Sequence, residues 1–170
     1  MNESPQEYMS RILGYQQGKK PLAILKATPA KLEKLVKKAS SVKLKKRPES
    51  DKWSVGEILA HLADSELVMS FRFRLVLGSN GTAIQAFDQD IWAKFSNYAK
   101  LDPRESMKRF TALREANIRL LSSIPKEMWD NFGMHSERGK ETVTRMAEML
   151  AGHDINHVRQ VEELVGGKRR

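Results

Sequence analysis

The sequence contains no cysteine. That absence excludes a disulfide framework, a thiolate nucleophile and any sulfur ligand from the chain itself. A metal site would have to be built from nitrogen and oxygen, which suits zinc, nickel, iron or manganese better than an iron–sulfur cluster. No apolar run reaches about 18 residues, so no transmembrane helix and no membrane partner are expected. Residues 1–20 are polar and lack the apolar stretch of a secretory signal. Strand-like alternation of useful length, internal repeats and low-complexity segments are also missing. These absences fit a cytoplasmic protein, and 170 residues suffice for a proper buried core.

Positive charge, by contrast, is plentiful. There are 30 Lys and Arg against 21 Asp and Glu, a formal net charge of +9. The excess is concentrated between Lys19 and Lys52, with a second cluster at Lys168-Arg169-Arg170. A nucleic-acid reader interleaves its cations with aromatic or amide groups that stack on bases or read them. Here the lysines alternate with Leu32, Leu35 and Val36, the pattern of a solvated helix face. No nucleic-acid partner is therefore expected, although the basic field suits attraction of an anionic small molecule.

The periodicity predicts helices throughout. A short helix is expected over Pro5 to Leu13, then a connector at Pro21 to Lys26, then a helix opened by Thr28-Pro29 as cap and first helical position. Ser54-Val55-Gly56-Glu57 is a capping box, and Trp53 with Ile58 forms the matching hydrophobic staple. The helix it opens carries Ile58, His61, Leu62, Ser65, Met69 and Val76 on its inward stripe and ends at Gly78 to Gly81. Ala83 to Tyr98 reads as a crossing, partly helical segment anchored by Ile84, Phe87, Ile91 and Phe95. Asp102-Pro103-Arg104-Glu105 starts another long helix, which stops before Pro125. Trp129 to Lys140 reads as a polar loop with an exposed His135, and the last long helix spans about Thr142 to Val165. The expected fold is all-α: a four-helix bundle with a short crossing helical segment between the second and third long helices. Residues 1–27 would pack on the bundle as a short helix and connector, 28–167 would form it, and 168–170 would be a basic tail.

Histidine is scarce, at four residues, yet three occupy inward helical positions. His153 and His157 lie four apart, one turn on the same face, and His61 sits on another long helix. A single histidine on an apolar stripe is commonly a hydrogen-bonded core residue. Two on one turn plus a third on a separate helix favour convergence on one metal ion. Three neutral imidazoles would leave a coordination position open, as catalytic metals require. Partners for the remaining ring nitrogens are sought one turn away, at Glu57, Asp64, Ser65, Asn156 and Gln160. Glu57 is better explained by the capping box, and Asp154 points toward solvent or a neighbouring helix. Asp88, on the crossing segment, is either a base or fourth ligand at the open position or an ordinary helix cap. Arg114 and Asn117 fall where apolar residues are expected, lining a pocket or the wet edge of the bundle.

The segment Trp53-Ser54-Val55-Gly56-Glu57-Ile58-Leu59-Ala60-His61-Leu62-Ala63-Asp64, followed by Ala151-Gly152-His153-Asp154-Ile155-Asn156-His157, resembles the DinB-like (DinB/YfiT) superfamily. The likeness runs from about Leu25 to Val165 and includes Phe87-Asp88-Gln89-Asp90 and Phe110-Thr111-Ala112-Leu113-Arg114. It implies a four-helix bundle holding a divalent metal through His61, His153 and His157. Despite its name, this family is distinct from the DNA polymerase. Relatives include thiol S-transferases using bacillithiol or mycothiol, metal-dependent isomerases and hydrolases, and many proteins without an assigned activity. The resemblance therefore implies a small-molecule substrate, zinc or nickel ahead of iron or manganese, and a low-molecular-weight thiol or water as nucleophile. The alternative is a non-enzymatic stress-response module that sequesters a metal or small ligand; a homodimer is allowed in either case.

Overall fold

The computed structural model describes residues 3–166, and the basic tail expected at 168–170 lies outside them. Within that range the chain runs α1 (Pro5–Gln16), α2 (Pro21–Lys37), α3 (Ser41–Lys45), α4 (Val55–Gly78), β1 (Thr82–Ile84), α5 (Gln89–Phe95), α6 (Pro103–Ser123), β2 (Phe132–His135), β3 (Gly139–Thr142) and α7 (Val143–Gly166). Short 3-10 turns occupy Tyr98–Lys100 and Lys126–Asp130. The four long helices α2, α4, α6 and α7 form the bundle. Helix α4 packs along α6, α6 against α2 and α2 along α7, while α7 closes the ring onto α4 more loosely. No helix among the described residues is long and apolar enough to cross a membrane.

The helix starts at α4 and α6 follow the local chemistry. Ser54 and Glu57 cap α4 reciprocally, with Ser54 N–H donating to Glu57 at 2.8 Å and Glu57 N–H to Ser54 Oγ at 3.3 Å. Asp102 accepts from Arg104 N–H at 2.7 Å ahead of Pro103, which has no amide proton to leave unpaired.

Helix α2 departs from expectation. It begins at Pro21 and continues through Pro29, so residues 21–26 are its first turns and Thr28 is no cap. Proline inside a helix removes the N–H that would pair with the carbonyl four residues earlier. That carbonyl, Leu25 O, instead accepts from Arg114 Nη1 of α6 at 3.0 Å. Thr28 Oγ1 donates to Ile24 O at 3.0 Å. A cap-and-proline pair is locally identical in sequence whether it starts a helix or sits within one; here tertiary contacts decide.

The expected polar loop also differs. Phe132–His135 and Gly139–Thr142 form an antiparallel hairpin, and β1 adds to it in parallel through Thr82–Gly133, Ala83–Met134 and Ile84–His135. His135 is consequently 3% exposed, not free in solvent. Of the four anchors expected on the crossing segment, Ile84 is buried, but Ile91 and Phe95 are 60% and 70% exposed.

The bundle core is divided. One apolar cluster includes Leu32, Leu44, Leu59, Leu62, Phe110 and Val161. The other includes Leu25, Phe73, Val76, Leu121, Val143 and Met146. Between them lies a polar layer from three of the four helices: His61, Glu66, Arg114, Asn117, Asp154 and His157 are all buried. Helix α1 crosses α7 beside this layer, over Gly152. A side chain at that position would collide with the carbonyl of Ile12, so glycine sets how closely the two backbones approach.

Candidate metal centre

The three histidines meet on the loosely closed side of the ring. His61 projects from α4 seven residues after its cap, and His153 and His157 project from one turn of α7. The Nε2 atoms of His61 and His153 are 2.9 Å apart, and those of His153 and His157 are 3.1 Å apart. One ring nitrogen of each of the three histidines, each able to ligate a metal, lies within 4.8 Å of the other two. Such separations are what metal–nitrogen bonds of about 2.0–2.1 Å to one ion produce. The Trp53 ring packs on His61 at 5.0 Å between centroids, so the residue beside the cap also holds the imidazole in place.

Electrostatics keep the rings neutral. Burial pushes His61 well below its ordinary pKa, with His157 adding to the effect. Burial does the same for His153, reinforced by His157, His61 and Arg114. His157 is lowered by burial to about 4, with its bond to Gln160 opposing the shift. Neutral imidazoles are the form that binds metal.

The other ring nitrogens are treated unequally. His157 Nδ1 lies 2.7 Å from Gln160 Oε1; an N–H donated there leaves Nε2 as the free electron pair. Nδ1 of His61 and of His153 are buried without a partner among the described residues. Ser65 Oγ approaches His61 Nε2 only at 3.5 Å. Converging nitrogens without enough protons between them, and orphaned atoms behind, suit a group that the chain itself does not supply.

The remaining expected partners serve elsewhere. Glu57 completes the capping box and pairs with Arg47. Asp64 accepts from the Tyr98 hydroxyl at 2.6 Å and from Arg109 at 3.0 Å. Asn156 accepts from Arg11 at 3.1 Å. Asp154 faces inward to a neighbouring helix, where it forms a two-pronged pair with Arg114 at 2.5 and 2.8 Å. Arg114 also donates to Glu66 at 2.8 Å, and Glu66 accepts from Asn117 at 2.9 Å. Burial opposes the charge on Arg114, but Asp154 and Glu66 outweigh it and raise its pKa. Arg114 and Asn117 are thus interior network members, not a wet edge. Asp88 is exposed and caps α5, accepting from the amides of Asp90 and Ile91 at 2.8 and 2.9 Å. It lines neither cavity beside the histidines.

Two cavities flank the cluster. One, of about 200 Å³, is bounded by His61 and His153 with Met69, Met146, Met149 and Leu150 as apolar wall. The other, of about 520 Å³, reaches His157 and is more polar. Tyr8 of α1 and Gln89 of α5 border both. Arg72, Arg138 and Glu141 also line the smaller cavity and carried no motif. Arg72 was nonetheless detectable, since its spacing from His61 returns it to the same face of α4.

Comparison with known proteins accords with this geometry. The sequence pattern of the DinB superfamily matches residues 24–161. The chain belongs to the DinB superfamily. It is 25% identical over 162 residues to YfiT of Bacillus subtilis, named as a candidate metal-dependent hydrolase, covering 94% of this chain and 88% of that one. It is 26% identical over 132 residues to a protein of Oceanobacillus iheyensis with the same designation, covering 78% and 76%. The solved structure of Bacillus subtilis YfiT, described as a four-helix bundle of unusual topology, superposes with a TM-score of 0.79 at 21% identity, over 96% of this chain and 88% of that one. That likeness establishes the fold.

Proposed function

We propose that this DinB-superfamily chain is a metal-dependent enzyme of hydrolytic type, with His61, His153 and His157 holding one divalent ion. The observation that carries this reading is the convergence of three Nε2 atoms from two buried histidines and a half-buried one, two of the rings having no partner for Nδ1, at the wall of a largely apolar cavity. An all-imidazole donor set suits zinc or nickel. An ion held this way supplies Lewis-acid chemistry, lowering the pKa of a water or a low-molecular-weight thiol and polarising a substrate oxygen.

The chain's own residues prepare the site. Burial keeps the imidazoles unprotonated, Gln160 selects the His157 tautomer, and Trp53 restrains His61. Met69, Met146 and Met149 offer a substrate an apolar surface beside the histidines. Asp88 acts by fixing the start of α5, which brings Phe87 and Gln89 to the cavity rim.

The test is metal stoichiometry followed by turnover. Purified protein stripped with chelator and reloaded with zinc, nickel, manganese or iron should retain one ion per chain by elemental analysis. Ester and amide panels, and thiol conjugation to a generic electrophile, then separate water from thiol as nucleophile. Equal metal content in the parent and in His157→Ala would overturn the metal assignment. Stoichiometric metal without turnover of either kind would indicate a binding module.

A further inference from the structure

The smaller cavity contains one charged group with no counter-charge. Arg72 follows His61 by eleven residues on α4, which returns it to the same face about 16 Å further along the axis. Ser65, Val68 and Met69 line the wall between them. The residue is 6% exposed. Its Nη2 donates to the Gln85 carbonyl at 2.6 Å and lies 3.4 Å from His135 Nε2. Nε and Nη1 have no hydrogen-bond partner among the described residues, and no described carboxylate pairs with the guanidinium. Phe87 covers it at 5.8 Å from its ring centroid.

The obvious counter-ion is already taken. Glu141 lines the same cavity, but both its oxygens are held by Arg138, at 2.7 and 3.0 Å. Arg72 therefore differs from Arg114, the other buried arginine of α4's surroundings, which has two carboxylates. Burial lowers the Arg72 pKa to about 10, with Arg138 acting in the same direction and Glu141 and Glu137 opposing, so the group remains cationic near neutrality. A desolvated cation without a partner is unfavourable unless a ligand supplies the partner. The planar fork of arginine is well matched to a carboxylate.

We propose that Arg72 anchors a carboxylate of the substrate, so that the cavity takes a small acid whose apolar chain lies along Val68, Met69 and Met146 with its reactive end toward the histidines. The orientation of that reactive end rests on the metal-site reading above; the carboxylate anchor does not.

Calorimetric titration with hexanoate and hexanamide, which share a shape and differ in charge, tests the anchor. Chelator-stripped protein is used, since an ion at the histidines would itself attract a carboxylate. The parent should favour hexanoate over hexanamide by roughly 10- to 100-fold, the range of a charge-assisted hydrogen bond. Arg72→Gln, which keeps a donor for the Gln85 carbonyl, should lose that preference while binding metal like the parent. Val68→Glu leaves Arg72 in place and supplies a carboxylate one turn away; it should also abolish the preference, and it decides the matter if Arg72→Gln fails to fold. Equal binding of acid and amide by the stripped parent would overturn the proposal, as would a preference that survives in both variants. Metal content, measured separately, reports on the histidines alone.

Discussion

Two polar clusters are buried side by side in the bundle, on consecutive residues of α7, and they are built oppositely. Asp154 belongs to a network in which nearly every group finds a partner: Arg114 spans Asp154, Glu66 and the Leu25 carbonyl, and Asn117 takes the other oxygen of Glu66. Its preceding neighbour His153 belongs to a cluster in which nitrogens face nitrogens and two ring atoms have no partner. A satisfied network stabilises the assembled helices by itself, whereas an unsatisfied one is stable only in company with something else. The contrast separates architecture from chemistry within a single helical turn.

Breaking the satisfied cluster should have the largest effect. Arg114→Met leaves two buried carboxylates without their cation and should destabilise the fold by about 3–5 kcal/mol, measured by urea unfolding. Adding Glu66→Gln and Asp154→Asn should recover part of that loss; no recovery would mean that the arginine acts mainly through packing. The histidine cluster should respond to metal instead. Chelation should lower the melting temperature of the parent, by an amount equivalent to about 3–4 kcal/mol if the free ion stood at 100 to 1,000 times its Kd. His157→Ala should bind little metal and melt at one temperature with or without chelator.

The metal-free parent should also lose stability in acid. His157 falls from an ordinary value of 6.5 to about 4 in the folded chain, so between those limits the unfolded chain holds a proton that the folded chain does not. Stability should therefore decline as pH drops through that window, by at most about 1.4 kcal/mol per pH unit for this group. A His157→Ala curve as steep as the parent's would contradict this assignment. Gly152→Ala forces α1 away from α7 beside His153, and a loss of roughly 1–3 kcal/mol is expected from overpacking. The smallest change is expected from Asp88→Asn: asparagine caps almost as well, so stability should shift by only about a few tenths of a kcal/mol with metal content unaltered. A marked loss of metal in this variant would return Asp88 to the site as a ligand.

Much of this contrast was visible in the amino-acid order. His61, His153 and His157 stood out because polar rings interrupted stripes of helical period, and the caps at Ser54 and Asp102 are local signals that tertiary structure did not alter. Arg114 and Asn117 were conspicuous on an inward stripe, but their partners were not. Glu66 lies off the inward stripe of α4 and Asp154 off the face shared by His153 and His157, and both become interior only through the way α4, α6 and α7 pack. The hairpin around His135 was missed because strands of four residues contain too little alternation to distinguish them from a glycine-containing loop.

The proline in α2 has a consequence for how the chain folds. Until Arg114 arrives from α6, the Leu25 carbonyl has only water to accept from, because residue 29 brings no amide proton. The backbone of one helix is thus completed by a side chain from another, and secondary structure there is not settled before tertiary structure. Residues 21–28 cut out as a peptide should be largely unstructured. In the intact protein, their amides should exchange with solvent in step with those around Arg114, so that the beginning of α2 and the centre of α6 open together as one cooperative unit.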